Sequence, residues 1–219
     1  MTNARERILS RIEQALGGKV REPMEPPGIP EIWPPDPSPP EALFARFERE
    51  LAAVHGEAVR ASSPDHARAR LRSLADQFRW HRIGYRAEEL VNKVVDGLGI
   101  GQLRRVDENW TPEQVAELDA AVVPGELFLA DTGSALVLCR HRWERLLYYL
   151  PPSCVIVGHL DRLYAHLAAA WSAVAAWSQD RSTRGEFVII TGPSRTSDIE
   201  KVLTLGVHGP KQLWVFLID

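Results

Sequence analysis

The segment Phe187–His208, which reads FVIITGPSRTSDIEKVLTLGVH, joins a short apolar run to a polar turn and a helix-start signature. The four apolar residues at 187–190 suit a buried strand. The turn at 191–196 is built almost wholly of small, hydroxylated or cationic residues. Ser197 and Glu200 have the S-x-x-E spacing of a capping box, so the pattern predicts a helix that begins at Ser197.

A loop between a strand and a helix presents backbone N–H groups and a positive dipole end at the carboxyl edge of a sheet, where α/β proteins bind anions. This loop adds the hydroxyls of Thr191, Ser194 and Thr196, the planar cation of Arg195, and close backbone access at Gly192. We therefore consider these five residues a candidate site for a small anionic ligand. An ordinary capped turn, with hydroxyls bonded to their own backbone and the arginine paired with a surface acid, explains the same residues.

The composition describes a chain with enough apolar residues for a core and with little net charge. Its 219 residues are 45% hydrophobic, the formal net charge is −3 and the pI is about 6.2. A general nucleic-acid-binding protein would carry an excess of Lys and Arg. No apolar run is long enough to span a bilayer, and charges interrupt the N-terminal residues, unlike in a secretory signal. We expect a cytoplasmic protein with no nucleic-acid partner and no membrane span.

The sequence has two cysteines, Cys139 and Cys154, and they do not form a C-x-x-C pair. Iron–sulfur and structural zinc sites need more thiolates than this. The histidines are scattered without metal-ligand spacing. We expect no metal and no cofactor bound by this chain, and two buried, reduced thiols.

Three regions follow one another along the chain. Residues 1–18 predict an amphipathic helix that ends at a Gly-Gly pair. Residues 19–40 contain nine prolines and predict a linker, in which Trp33 could pin the segment to the domain surface or serve a partner. Residues 41–219 predict a single α/β domain. The helix and the linker are candidate docking elements.

Within the predicted domain, short apolar runs alternate with amphipathic patterns, which favours a mostly parallel sheet flanked by helices. Strands are predicted at 58–61, 80–84, 103–106, 121–123, 154–157 and 213–218. The apolar runs on either side of residues 130–134 predict an added antiparallel hairpin. The spacing of Leu160, Leu163 and Leu167 predicts a long helix from Leu160, whose Trp171 and Trp177 we assign to packing.

The hairpin turn is the second candidate region. Asp131 beside the hydroxyls of Thr132 and Ser134, with Gly133 between them, could act as a general base or accept a substrate hydrogen bond. An Asx-type turn, in which the aspartate bonds its own backbone, is an equal alternative. His208 is a candidate proton carrier, although a histidine near a helix end is also stabilised there without any function.

The segment TGPSRTSDIEKVLTLGVHGPKQLWVFLID, with LADTGSALVL and LLYYLPPSCVIVGHL before it, resembles the lactate utilisation protein C family, whose members contain a LUD domain. The resemblance covers roughly residues 58–219. It implies a fold of the ribose-5-phosphate isomerase and CoA-transferase type. The family often has Glu-Thr-Gly at the hairpin turn, where this chain has Asp131-Thr132-Gly133. The carboxylate is therefore kept on a side chain about one methylene shorter.

The resemblance implies a role in oxidising L-lactate to pyruvate together with two partner proteins that carry iron–sulfur clusters. We therefore expect a non-redox component that is not catalytic alone and that binds a small anionic metabolite or a partner at residues 191–197. The alternative is a stand-alone isomerase or CoA-transferase-type enzyme acting on a phosphorylated or CoA-linked metabolite. A third possibility is a scaffold in which the loop is only a structural turn.

Overall fold

The computed structural model describes residues 3–16, 34–99, 101–179, 185–197, 203–205 and 209–219. The chain divides into a unit of residues 1–34 and a unit of residues 35–219. In the first unit, the predicted amphipathic helix is present as α1, Ala4–Leu16, and none of its residues is buried. No helix in these described ranges is long and apolar enough to cross a bilayer.

The second unit contains further helices and two main sheets. The helices are α2 Pro40–Ala53, α3 Pro64–Phe78, α4 Glu89–Val95, α5 Pro112–Ala116, α6 Arg142–Tyr149 and α7 Leu167–Gln179. The strands are β1 Glu57–Ala61, β2 Arg82–Tyr85, β3 Gln102–Arg105, β4 Ala120–Pro124, β5 Leu127–Leu129, β6 Ser134–Cys139, β7 Ser153–His159, β8 Leu163–Tyr164, β9 Glu186–Ile190, β10 Arg195–Ser197, β11 Leu203–Leu205 and β12 Gln212–Ile218.

Local signals explain where several helices begin. Ser63 caps α3, because its Oγ accepts a hydrogen bond from the His66 N–H at 3.2 Å. Thr111 and Gln114 form a reciprocal capping box at α5, with distances of 2.9 and 3.3 Å. Proline occupies the first turn of α2, α3 and α5, where its missing N–H costs nothing.

The six-stranded sheet has the order β1-β12-β7-β4-β2-β3, and every neighbouring pair is parallel. Its central strands β4, β7 and β12 are buried on both faces. Alternate residues such as Ala121 and Ile156 pack with α2, α5 and α6, while Val122 and Val155 pack with α3 and α4. Continuous apolar runs, rather than alternation with polar residues, are what such strands require. The mostly parallel architecture predicted from the sequence is confirmed.

The predicted hairpin is also confirmed and belongs to a second, mixed sheet of order β8-β5-β6-β9. Strands β5 and β6 are antiparallel around residues 130–133, and β9 runs antiparallel along β6. Helix α7 packs on this sheet through Ala170 and Val174.

The helix predicted to begin at Ser197 is wrong. Residues Arg195–Ser197 form β10, which pairs antiparallel with β11. The hydrogen bond from the Ser194 N–H to the Pro210 carbonyl, 2.9 Å long, fixes the chain just before this ribbon. A capping signature is a local preference, and tertiary pairing overrides it here. The remaining residues of that predicted capping box, 198–200, lie outside the described ranges.

The helix predicted from Leu160 begins seven residues later. Residues Leu160–Arg162 form one turn of 3-10 helix, and β8 follows before α7 starts at Leu167. The carbonyl of Tyr164 accepts a hydrogen bond from the Ala130 N–H at 2.8 Å, which draws this segment into the second sheet. Trp177 packs as predicted, stacked on Phe187. The packing role predicted for Trp171 is wrong, because its side chain is 59% exposed.

Candidate functional site

The structure brings the hairpin turn and the start of the 191–196 loop into contact. The Oγ of Ser134 lies 2.6 Å from the Oγ1 of Thr191. Ser134 also donates to the Oγ1 of Thr132 at 2.7 Å, and Thr132 donates to the Oδ1 of Asp131 at 3.4 Å. Because a hydroxyl has one proton to donate, Thr191 must be the donor to Ser134. We call these four side chains the hydroxyl relay; it runs from Thr191 to the Asp131 carboxylate.

Two glycines hold the relay against the end of α2. Gly133 has φ +61°, and a Cβ there would lie 2.3 Å from the backbone nitrogen of Leu51. Gly192 has φ +82°, and a Cβ there would lie 2.8 Å from a methyl group of Val54. Both positions require the left-handed backbone and the close approach that glycine allows. The last turn of α2 is therefore the backing surface of the hydroxyl relay.

The outer part of the loop is more open. Ser194 is half-buried, and the guanidinium of Arg195 is exposed. No carboxylate among the described residues lies within ion-pair distance of Arg195. Thr196 pairs through its backbone with Thr204 of β11.

The predicted position of this loop relative to the parallel sheet is wrong. Strand β9, which leads into the loop, lies at one edge of the mixed sheet and runs antiparallel to β6. Ser197 belongs to strand β10, and no helix dipole among the described residues of this loop favours an anion. Hydroxyls and the Arg195 cation are what this loop offers a ligand.

The two candidate catalytic residues have different outcomes. Asp131 is half-buried at the turn, and its N–H donates to the Ala165 carbonyl at 3.0 Å. Its carboxylate accepts from the Thr132 side chain, whereas an Asx turn would need a backbone donor. His208 lies outside the described residues, so its role stays a prediction.

A buried ionic network was missed by the sequence reasoning. Arg86 is 4% exposed, and its Nη1 donates to the Leu138 carbonyl at 2.6 Å and lies 3.4 Å from the Glu144 carboxylate. Its Nη2 lies 3.5 Å from the Oε1 of Glu126. The Glu144 carboxylate also accepts from the Arg140 N–H at 2.6 Å. The signal was an arginine directly after a buried strand, β2, where an unpaired charge would be costly.

This network borders a crevice at the carboxyl ends of β4 and β7, with a volume of about 220 Å³. Glu88, Glu126, His159, Arg162 and Trp177 line it. These residues come from separate connections of the chain, so no sequence motif contains them. The sequence feature that could have indicated this crevice is that its charged residues follow parallel strands.

The two thiols are free and buried, as predicted. Burial, assisted by the Glu144 carboxylate, raises the pKa of Cys139 to about 11. Burial raises the pKa of Cys154 to about 12. Thiols in this state are poor nucleophiles and poor metal ligands at neutral pH.

A sequence profile of the LUD domain matches residues 44–218. "Lactate utilization protein C" of Geobacillus thermodenitrificans is 27% identical over 135 residues, which cover 51% of this chain and 55% of that protein. The protein of the same name from Bacillus pumilus is 31% identical over 101 residues, covering 45% and 42% respectively. The chain thus spans about half the length of these relatives.

A crystal structure of a DUF162 family protein from Deinococcus radiodurans has the same fold. Its TM-score is 0.62 at 19% identity, and the match covers 84% of this chain and all of the other. The profile match spans most of the α/β unit, including both sheets and the hydroxyl relay. The chain therefore belongs to the LUD domain family.

Proposed function

We propose that this chain is a non-redox component of a cytoplasmic L-lactate utilisation system. In this system the chain and iron–sulfur partner proteins together oxidise L-lactate to pyruvate. The lactate utilization names of its relatives support the pathway. Oxidation of lactate to pyruvate removes two electrons, which need an acceptor. The two buried cysteines have a raised pKa and do not provide the four thiolates of a cluster, and in this proposal an iron–sulfur partner supplies the acceptor.

The proposed role of the chain is to bind a small anionic ligand or a partner surface at residues 191–197. The 2.6 Å hydrogen bond between Ser134 and Thr191 carries this proposal, because it joins the two predicted segments into one polar surface. Arg195 follows on the same loop with its guanidinium exposed. A guanidinium on a loop that also carries hydroxyl donors suits a carboxylate such as that of lactate or pyruvate.

The partner half of the proposal is tested by reconstitution. The chain, candidate iron–sulfur proteins and their mixture are each assayed for reduction of an artificial electron acceptor by L-lactate. Only the mixture is expected to be active at full rate. Lactate oxidation by the chain alone would rule out the non-redox role.

The ligand half is tested by calorimetric titration with L-lactate and pyruvate. Arg195→Ala is expected to weaken binding by about tenfold or more, as the loss of a charge-assisted hydrogen bond requires. Arg105→Ala, an exposed arginine on β3, is the matched control and should bind like the parent chain. Equal affinities for all three proteins would overturn the assignment of the loop.

The second candidate function is the stand-alone enzyme, of isomerase or CoA-transferase type, acting on a phosphorylated or CoA-linked metabolite. The crevice at the carboxyl edge of the parallel sheet favours it, because this edge is where open α/β sheets bind ligands. A thermal shift with a sugar phosphate or CoA ester, and turnover of that compound by the chain alone, would support it. Fold alone does not fix the reaction.

A further inference from the structure

The carboxyl edge of the parallel sheet contains a topological switch point. Strands β2 and β4 are neighbours, but the chain passes from β2 to β3 on one side and from β4 to β7 on the other. Connections that diverge in this way leave an opening between them above the strand ends. The 220 Å³ crevice lies at this place and contains Glu88 after β2 and Glu126 after β4.

The crevice is separate from the hydroxyl relay. Glu126 directly precedes β5, and Asp131 follows its other end. The five residue steps from Glu126 to Asp131 correspond to roughly 16 Å of extended chain. A ligand in the crevice would therefore not reach the relay, and the two sites can be tested independently.

Opposite charges line the crevice. Glu88 and Glu126 supply carboxylates, while Arg162 supplies a guanidinium and His159 an imidazole. The Glu126 side chain is 25% exposed and contacts the buried Arg86, which orients its carboxylate. Glu88 accepts the Leu90 N–H through Oε2 at 3.0 Å. The acids are thus held in place by groups that belong to the protein.

Size and charge restrict the ligand class. A volume of about 220 Å³ lies below the range typical of drug-sized ligands, and it excludes a whole CoA molecule. Two carboxylates in the wall would repel a phosphate, whose charge at neutral pH lies roughly between −1 and −2, more strongly than a ligand with a single carboxylate. The guanidinium suits a ligand carboxylate, and the acids suit a hydrogen-bond donor beside it. The indole of Trp177 provides an apolar wall.

We propose that the crevice is a second ligand site, which binds a small carboxylic acid with a hydroxyl or ammonium group on the neighbouring carbon. Arg162 and His159 bind the carboxylate. Glu126 and Glu88 accept the hydroxyl or ammonium protons. This assignment goes beyond the proposed function of the 191–197 loop and does not depend on it.

The test is calorimetric titration of the full chain with three compounds of nearly equal size: L-lactate, L-alanine and propionate. L-lactate represents the hydroxy acids and L-alanine the amino acids, whereas propionate has no donor. One of the first two is expected to bind at least about tenfold more tightly than propionate. Inorganic phosphate is the fourth probe and should not bind at this site.

Substitutions show which residues bind the titrated ligand. Glu126→Gln keeps the shape of the side chain and removes its charge, and Arg162→Gln removes the cation; each should weaken binding by about tenfold or more. Arg162 is 52% exposed, so its substitution keeps the test valid if Glu126→Gln fails to fold. Glu48→Gln and Arg105→Gln are matched exposed controls. The crevice variants are titrated in the Arg195→Ala background, in which the proposed lactate binding at the 191–197 loop is weakened.

Two outcomes would overturn the inference. One is propionate binding as tightly as both donor-bearing acids. The other, measured in the Arg195→Ala background, is binding that Arg162→Gln leaves equally tight, or no binding of either donor-bearing acid. The last result would assign the ligand to the 191–197 loop, whereas failure of the loop proposal alone would leave the response of the crevice variants intact.

Discussion

The two ends of strand β5 present different chemistry. At the Asp131 end, hydroxyls form a relay backed by the last turn of α2, and glycine permits the contact. At the Glu126 end, a buried arginine is surrounded by carboxylates and a backbone carbonyl. The Asp131 end is held by close backbone packing and the Glu126 end by charge. The comparison shows that polar residues at the two ends of one strand can be stabilised by different interactions, close packing at one end and ion pairs at the other. Substitutions can test each interaction by itself.

The largest effect is expected from removing the charge at the Glu126 end. Arg86→Met should destabilise the chain by about 3–5 kcal/mol, because it leaves the buried Glu144 carboxylate without its cation. Urea-induced unfolding measures the loss. Arg105→Met, an exposed control, should change stability by less than about 0.5 kcal/mol. Similar stabilities for both variants would show that charge does not hold this end.

The next effect belongs to the packed end. Gly133→Ala should cost about 3 kcal/mol, because its Cβ would clash with the α2 backbone and its φ is positive. Gly97→Ala is the matched control: its φ is +70° and no atom lies within 4 Å of the added Cβ, so only backbone strain of about 1 kcal/mol remains. Equal losses in thermal or urea unfolding would contradict the role assigned to the contact with α2.

The two buried thiols provide a test of how burial near the Glu126 end changes the pKa of a side chain. Folding raises the pKa of Cys139 and Cys154 from 9.0 to about 11 and about 12. Below pH 9 both states keep the protons, and above it only the unfolded thiols ionise. Stability should therefore fall by about 1 kcal/mol per thiol between roughly pH 9 and pH 10. The double variant Cys139→Ala, Cys154→Ala should show a shallower fall in urea unfolding across that interval; an identical slope would contradict the assignment.

The smallest effect concerns the hydroxyl relay itself. Ser134→Ala removes a buried hydroxyl that makes two hydrogen bonds and should cost about 1 kcal/mol. A double-mutant cycle with Thr191→Val isolates the pair, and the two substitutions together should cost less than the sum of the single losses. Strict additivity would mean that the 2.6 Å contact contributes no coupling.

The parallel sheet could be predicted because its central strands are short apolar runs and because β1 and β3 are each followed by a locally encoded helix start. The side chains of Ser63 and Thr111 cap helices in the structure as their sequence context indicates. The mixed sheet was harder. Its hairpin has a turn signature, but β8 and β10 lie in segments whose local pattern favours helix. Only their pairing partners, which are distant in sequence, select the strand conformation.

The two candidate sites also differ in how well the sequence predicts them. The hydroxyl relay could be anticipated because its residues occur in two short polar turns of evident chemistry. The crevice could not, because Glu88, Glu126 and Arg162 follow different strands and become neighbours only through strand order. A single charged residue after a strand is common, and its sequence context does not distinguish a ligand group from a solvated one.

The position of β12 has a consequence for synthesis on the ribosome. Strand β1 forms its ladder with β12, and Glu57 accepts a hydrogen bond from the Trp214 indole across 157 positions of sequence. Translation at roughly 5–20 residues per second would separate the two by about 8–30 s. During that interval β1 lacks its neighbouring strand. The large sequence separation of β1 and β12 predicts slow completion of the sheet. Truncation before Gln212 should therefore leave a nascent chain that chaperones retain.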